Sequence, residues 1–139
     1  MRYLARREYS RQELHGKLLA FVQEGDDVGA LLDDLERRNW LSDTRAAAQM
    51  VKLRQQRFGA QRIVHELRQK GIDQALIDAA LPELKENELA AAREVWQKKF
   101  GHPPQDAKEK ARQARFLQSR GFPMAIVFKL LRMDDESVG

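Results

Sequence analysis

Apolar residues recur along this chain at three- and four-residue steps, the spacing that places them on one face of an α-helix. Leu14, Leu18 and Phe21 form the first stripe, behind Ser10-x-x-Glu13, a capping-box start. Val28, Leu31, Leu32 and Leu35 form the next. Ala46, Ala47, Met50 and Val51 open another, with Ser42-Asp43 as its cap. Ile63, Val64 and Leu67 follow, then Leu76, Ile77, Ala80 and Leu81. Leu89, Ala92, Val95, Trp96 and Phe100 share a face. Asp106-x-x-Glu109 offers a cap for a helix carrying Ala107, Ala111, Ala114 and Leu117, and the last stripe is Ile126, Val127, Leu130 and Leu131. No four-residue stretch alternates with β-branched or aromatic residues as a strand would.

Breaks fall at Gly25, Asn39, Gly59 and Gly71, and at residues 82–87, 101–104 and 121–123. Glycine suits the left-handed position just past a helix, and proline soon after forbids its continuation. The pattern predicts helices over 10–24, 27–38, 44–58, 61–70, 73–84, 87–100, 107–117 and 124–131, after a short one at the N-terminus. That is about eight or nine helices near the roughly 11-residue average. Single helices of that length are marginal in water, so they must pack on one another.

The pattern also repeats. Aligned on Gly71 and Gly121, Lys70 matches Arg120, Ile72 matches Phe122 and Leu67 matches Leu117. Beyond the glycines, Leu76, Ile77 and Leu81 match Ile126, Val127 and Leu131. A helix precedes each copy, and the N-terminal third fits more loosely. The reading is all-α: three tandem three-helix modules over 1–41, 42–85 and 86–139, with a period of roughly 45 residues. Stacked modules would bury a continuous core and form an elongated body, open to curvature.

Composition narrows the class. The 139 residues are 42% hydrophobic and 33% charged, with a mean hydropathy of −0.65. Such a chain reads as soluble. There is no cysteine, which excludes a disulfide framework, a thiolate metal site and a cysteine nucleophile. No apolar run approaches the roughly 20 residues that cross a bilayer. The start has no apolar signal core, so the expected compartment is the cytoplasm.

The net charge of +4 conceals an asymmetry. Residues 26–36 hold Asp26, Asp27, Asp33, Asp34 and Glu36 and no basic residue. Residues 44–70 hold Arg45, Lys52, Arg54, Arg57, Arg62, Arg68 and Lys70 against Glu66. Residues 93–120 are basic again, with Lys98, Lys99, Arg112 and Arg115 among eight cations and three acids. The basic set is the candidate face for phosphates or an acidic partner, and the acidic set the candidate face for a basic one.

Catalytic constellations are missing. His15, His65 and His102 fall in three modules without metal-ligand spacing. No glycine-rich phosphate loop occurs, and Ser10, Ser42, Ser119 and Ser137 have no nucleophile-elbow context. The pairs Asp26-Asp27 and Asp33-Asp34 lack the spaced ligands of a calcium loop. The expectation is no active site, no metal and no cofactor. Residues 61–70 and 73–84 imitate a helix-turn-helix, but the second helix carries Asp73, Asp78 and Glu83 and no cation before Lys85. Phosphates would repel it, so major-groove readout is rejected. Trp40, Trp96, Phe58, Phe116, Phe122 and Phe128 read as core or inter-module packing.

Taken in order, certain residues resemble a known family. Arg6-Arg7-Glu8-Tyr9-Ser10-x-x-Glu13-Leu14-x-x-Lys17-Leu18 comes first, then Trp40-Leu41-Ser42-Asp43-x-Arg45. Gly59-x-x-Arg62-Ile63-x-x-Glu66-Leu67-x-x-Lys70-Gly71-Ile72 follows, and Lys98-Lys99-Phe100 and Phe116-Leu117-x-x-Arg120-Gly121-Phe122 close the set. The ordered set spans nearly the whole chain and resembles the bacterial RecX family of RecA modulators. The family usually has Gly where Asn39 stands, often Asp-Asp at Ser42-Asp43, and an aromatic near Ala46 or Ala47. Its members commonly begin several residues earlier, so the first helix is expected to be short.

The resemblance implies three three-helix modules and no enzymatic activity. It implies binding to RecA, in the groove of the RecA–single-stranded DNA filament, as a monomer. Strand exchange, ATP hydrolysis and coprotease activity would be inhibited. No membrane or small-molecule substrate is implied. Two other readings stand beside it: a non-specific nucleic-acid-binding helical-repeat protein that acts by competing for DNA, and a helical scaffold for an unrelated protein.

Overall fold

Hydroxyl and carboxylate side chains start most of the helices. Ser10 accepts from the backbone N–H of Glu13, whose carboxylate returns the bond to the Ser10 N–H. Asp27, Ser42 and Asp106 cap later helices by accepting from Ala30, Arg45 and Glu109. Each satisfies a backbone donor that the helix leaves free. In the computed structural model, the described residues are 7–138, with side chains described over 7–132. Seven α-helices result: α1 (Arg11–Leu18), α2 (Val28–Arg37), α3 (Asp43–Arg54), α4 (Ala60–Gln69), α5 (Gln74–Lys99), α6 (Ala107–Ser119) and α7 (Met124–Val138). The short helix expected at the N-terminus lies outside the described residues.

Three separate cores correspond to three modules. Tyr9, Leu14, Leu32, Leu35 and Leu41 form the first. The second gathers Ala47, Val51, Phe58, Ile63, Leu67, Ile72, Ile77 and Leu84. Ala92, Trp96, Ala114, Leu117, Phe122, Val127, Leu130 and Leu131 make the third. The chain exposes 9280 Å², against about 7400 Å² for an ordinary globule of this mass. The excess fits modules in a row.

Two expectations about the helices need correction. No break occurs at residues 82–87: α5 runs through Pro82 for 26 residues. An interior proline costs about 3 kcal/mol. Ile77 and Leu84 in the second core and Ala92 and Trp96 in the third hold the helix on both sides, and each such burial contributes about 1.5–3 kcal/mol for the larger side chains. Conversely, the helix expected over 10–24 ends at Leu18 and passes into a 3₁₀ turn, Leu19–Phe21. Phe21 is therefore not core but 80% exposed.

Neighbouring modules meet in the same way twice. The Ser10 hydroxyl donates to the Lys70 carbonyl at 2.6 Å, and Gln12 Nε2 to that of Gln69 at 3.0 Å. One module on, the Gly59 N–H donates to the Arg120 carbonyl at 2.7 Å. Each time the N-terminus of one module's helix sits on the turn that ends a helix of the next. Gly71 and Gly121 take φ of +76° and +89° there. Gly59 does not: its φ of −78° suits any residue, so it is not the left-handed stop expected of it. Its constraint is proximity. A Cβ there would lie against the Gly121 carbonyl and 2.6 Å from the Phe122 nitrogen.

Gly59 also brings no side chain to cap α4. Glu88, on α5, does so instead: its carboxylate accepts from the Ala60 N–H at 2.7 Å while only 7% exposed. Burial pushes its pKa above the ordinary carboxylate value, a shift opposed by the Ala60 hydrogen bond and the Lys85 charge.

Candidate partner-binding surface

The candidate basic face divides into cations that hold the fold together and cations that remain free. Glu66 binds Arg54 through two hydrogen bonds, at 2.8 and 2.6 Å, and Arg62 at 3.4 Å. Both guanidiniums lie over the Phe58 ring, 4.3 and 4.1 Å from its centroid. Arg120 of the third module reaches the same ring at 5.4 Å and the Phe116 ring at 5.1 Å. Hydrogen bonding to Arg54 holds the Glu66 carboxyl below its ordinary pKa, and Glu66 in turn raises that of Arg54. Arg62 also donates to the Ser119 carbonyl at 3.3 Å, so Arg62 and Arg120 build the joint between the second and third modules, and Arg54 braces Glu66 and Phe58 beneath it.

Arg45 and Lys70 serve the other joint. Arg45 donates to Glu8 at 3.0 Å and to both the side chain and the carbonyl of Asn39. Lys70 pairs with Glu13 at 3.0 Å, beside Arg7 at 2.6 Å. Burial pushes Glu13 up, but the Ser10 N–H, Lys70 and Arg7 outweigh it and hold the carboxyl below its ordinary value. A cavity of about 450 Å³ opens here, lined by Arg7, Glu13, Arg54, Glu66 and Lys70. Glu8 lines it too, which makes three cations and three carboxylates, so the cavity presents no excess of either sign.

The remaining candidates are exposed. Lys52, Arg57 and Arg68 have no carboxylate partner among the described residues; Arg68 bonds Gln74 at 3.3 Å. In the third module Lys98 and Lys99 end α5, and Arg112 and Arg115 lie on α6, all exposed and again without an ion pair among the described residues. Lys108, Arg112 and Arg115 fall at helical four- and three-residue steps, on one face. With His102, Asp106 and Glu109 they line a cavity of about 320 Å³, three cations against two carboxylates. Lys99 lies 5.4 Å from the Phe116 ring and Arg112 5.7 Å from that of Phe100, and the two rings meet edge to face at 5.5 Å. This is a cationic surface over half-buried aromatics, suited to phosphate contacts.

The acidic candidates divide too. Asp33 and Glu36 both bind Arg11, and Asp34 binds Arg37 and Arg38 at 3.4 and 2.9 Å. Asp27 caps α2, and Asp26 accepts from the Gln23 N–H. Beside these two lies an exposed apolar surface of Phe21, Val22 and Leu31; the periodicity put Phe21 and Leu31 on helix stripes, but they are 80% and 44% exposed. Two aromatics expected in the core are also outside it. Trp40 is half exposed beneath the Arg38 guanidinium, because it lies past the end of α2, and Phe128 faces outward on α7. Trp96 is buried and donates to Gln113 at 2.9 Å.

Among the described residues, no cluster of His, Asp or Glu could hold a metal ion, and no helix is long and apolar enough to cross a membrane.

Comparison with known proteins places this architecture. Residues 42–81 match the family model of the second three-helix domain of RecX, and residues 86–131 that of the third. The regulatory protein RecX of Chromobacterium violaceum is 47% identical over 128 residues, covering 92% of this chain and 83% of the relative. That of Leptothrix cholodnii is 46% identical over 135 residues, covering 97% and 86%. The crystal structure of RecX from Lactobacillus salivarius superposes with a TM-score of 0.77 at 18% identity, over 96% of this chain and 90% of that one. That likeness concerns the fold.

Proposed function

The chain belongs to the RecX family of regulatory proteins, and from that premise we propose that it binds RecA and the RecA–single-stranded DNA filament. There it inhibits strand exchange, ATP hydrolysis and coprotease activity, without chemistry of its own. The observation that carries this reading is the identity of 40–47% to proteins named as RecX regulators, over most of the chain. The relatives are named regulatory proteins, not enzymes.

The free cations support a mechanism of two contacts. Lys98, Lys99, Arg112 and Arg115 meet DNA phosphates within the filament, while other surfaces meet RecA itself. Charge of this kind sets orientation and rate of association more than affinity. The same cations favour one competing reading, in which the protein only coats single-stranded DNA.

A titration of RecA ATPase at several DNA concentrations separates the two. A filament regulator inhibits at concentrations well below those that saturate free single-stranded DNA. Inhibition that follows DNA coverage, and vanishes when DNA is in excess, refutes it.

A further inference from the structure

From residue 18 to residue 36 the chain carries Glu24, Asp26, Asp27, Asp33, Asp34 and Glu36 and not one basic residue. The last three are neutralised by Arg11, Arg37 and Arg38. Glu24, Asp26 and Asp27 have no ion pair among the described residues. A cavity of about 330 Å³ opens between Leu18, Phe21, Val22, Val28 and Leu31 with Asp26 and Asp27 at its edge, and Glu24 follows Val22 by two residues. Apolar surface rimmed by unbalanced charge of one sign marks an interaction site.

The fold says why this surface is open. Ser10 and Gly59 occupy the same place in successive modules, since each donates to the turn of the next. The turns at Gly71 and Gly121, each glycine left-handed and three residues before the next helix, have their counterpart in the first module at Gly25, whose φ is +95°. Those two turns each receive the helix N-terminus of the preceding module. On the first module's turn nothing is seated among the described residues, and Glu24 stands where the others have Lys70 and Arg120. The chain leading into this turn carries Phe21 and Val22 outward, and they offer a pocket for side chains.

Resting on the RecX reading above, we infer that this surface of the first module is the protein-facing contact. It takes a segment of the partner protein that inserts an apolar side chain between Lys or Arg residues. The acidic rim repels phosphates, so DNA is not its ligand, and the cationic surface of the third module is left to the nucleic acid. A large apolar anchor in a pocket with a polar rim is the arrangement that concentrates binding energy.

The test uses the full chain, RecA filaments on single-stranded DNA, and the same DNA without RecA. Phe21→Ser with Leu31→Ser removes the anchor site and leaves Leu14, Leu32, Leu35 and Leu41 in their core. The expected result is a loss of about tenfold or more in filament affinity, with melting and free-DNA binding unchanged. Glu24→Lys leaves the apolar surface intact and keeps the test decisive if the double variant folds poorly: it takes the rim of Glu24, Asp26 and Asp27 from three negative charges to a net one, and should slow association and weaken its salt dependence. Filament affinity within about twofold of the parent for both overturns the inference, whereas failure of the parent to bind filaments overturns the RecX reading and the inference with it. A parent that sediments as a dimer, and a double variant that does not, would show that a second copy occupies the surface and would also overturn it.

Discussion

Gly59→Ala tests the joint between the second and third modules, because ordinary helix rules and this structure give it opposite signs. Its φ of −78° accommodates alanine. Replacing glycine at such a position normally stabilises by about 0.4–1 kcal/mol, by restricting the unfolded chain. Here the new Cβ would stand against the Gly121 carbonyl and 2.6 Å from the Phe122 nitrogen. These are backbone atoms and cannot rotate away. Relief requires withdrawing the start of α4 from the turn, which breaks the 2.7 Å bond from Gly59 to Arg120. Overpacking costs about 1–3 kcal/mol and the broken hydrogen bond about 1. Less the gain above, the net loss is about 1–3 kcal/mol. Gly16→Ala is the control: it lies inside α1 with nothing within 4 Å of the new Cβ, and should gain about 0.5–1 kcal/mol. Urea titration followed by the fluorescence of Trp96, buried in the third core, reads both. If Gly59→Ala stabilises as Gly16→Ala does, the close approach is wrong.

Three further outcomes follow from the pairing of charge. Glu66 and Glu13 both have carboxyls held below the ordinary value of 4.5; such groups add stability that is fully present above that value and lost as pH falls through the lowered one. Urea midpoints should therefore drop below about pH 4.5, and less so in Glu66→Gln, whose neutral Arg54 contact does not titrate; an equal drop refutes the assignment. Glu88 has the opposite sign: its raised pKa means that ionisation weakens the fold as pH rises through it, so Glu88→Gln, which still accepts from Ala60, should match or exceed the parent at pH 7, while Glu88→Ala, which leaves that donor buried and unpaired, should lose about 1–3 kcal/mol. Reversing Lys98, Lys99, Arg112 and Arg115 should flatten the salt dependence of single-stranded DNA binding by about 0.7 in log–log slope for each phosphate no longer neutralised and leave melting unchanged, whereas reversing Arg54 and Arg62 should lower melting; a loss of DNA binding at full stability in the second variant contradicts the division of the basic face.

Periodicity was enough for the helices, because burial on one face is a local property of sequence. Ser10, Ser42 and Asp106 announced their helix starts, and Asn39, Gly71 and Gly121 their ends. Pro82 misled because its local penalty is outweighed by two cores that lie far from it in sequence. Phe21 misled in reverse: it continues the Leu14–Leu18 spacing, yet the chain turns at Leu19 and carries it outward. The function of Gly59 could not be read at all, since what constrains it is the backbone of residues 120–122. The same holds for charge. A count of cations over 44–70 is legible in the sequence, but Glu66 is one acid among seven bases there, and only the fold shows that it removes Arg54 and Arg62 from the free surface.

That subtraction turns a broad basic stretch into two separated surfaces and makes the joints matter for binding. The unpaired cations that cluster lie in the third module, and the apolar, acid-rimmed surface in the first. Between them runs α5, whose 26 residues span about 39 Å at the rise of an α-helix. Two contacts on one rigid body strengthen each other only if the body holds them at the spacing of the target, and the gain disappears when the connection loosens. Gly59 touches neither surface. On the proposed function, Gly59→Ala should nevertheless weaken binding to the RecA filament, which engages both ends, more than binding to free single-stranded DNA, which engages one. Equal losses on the two targets would mean that the modules act singly, and that the stacked architecture contributes stability but not recognition.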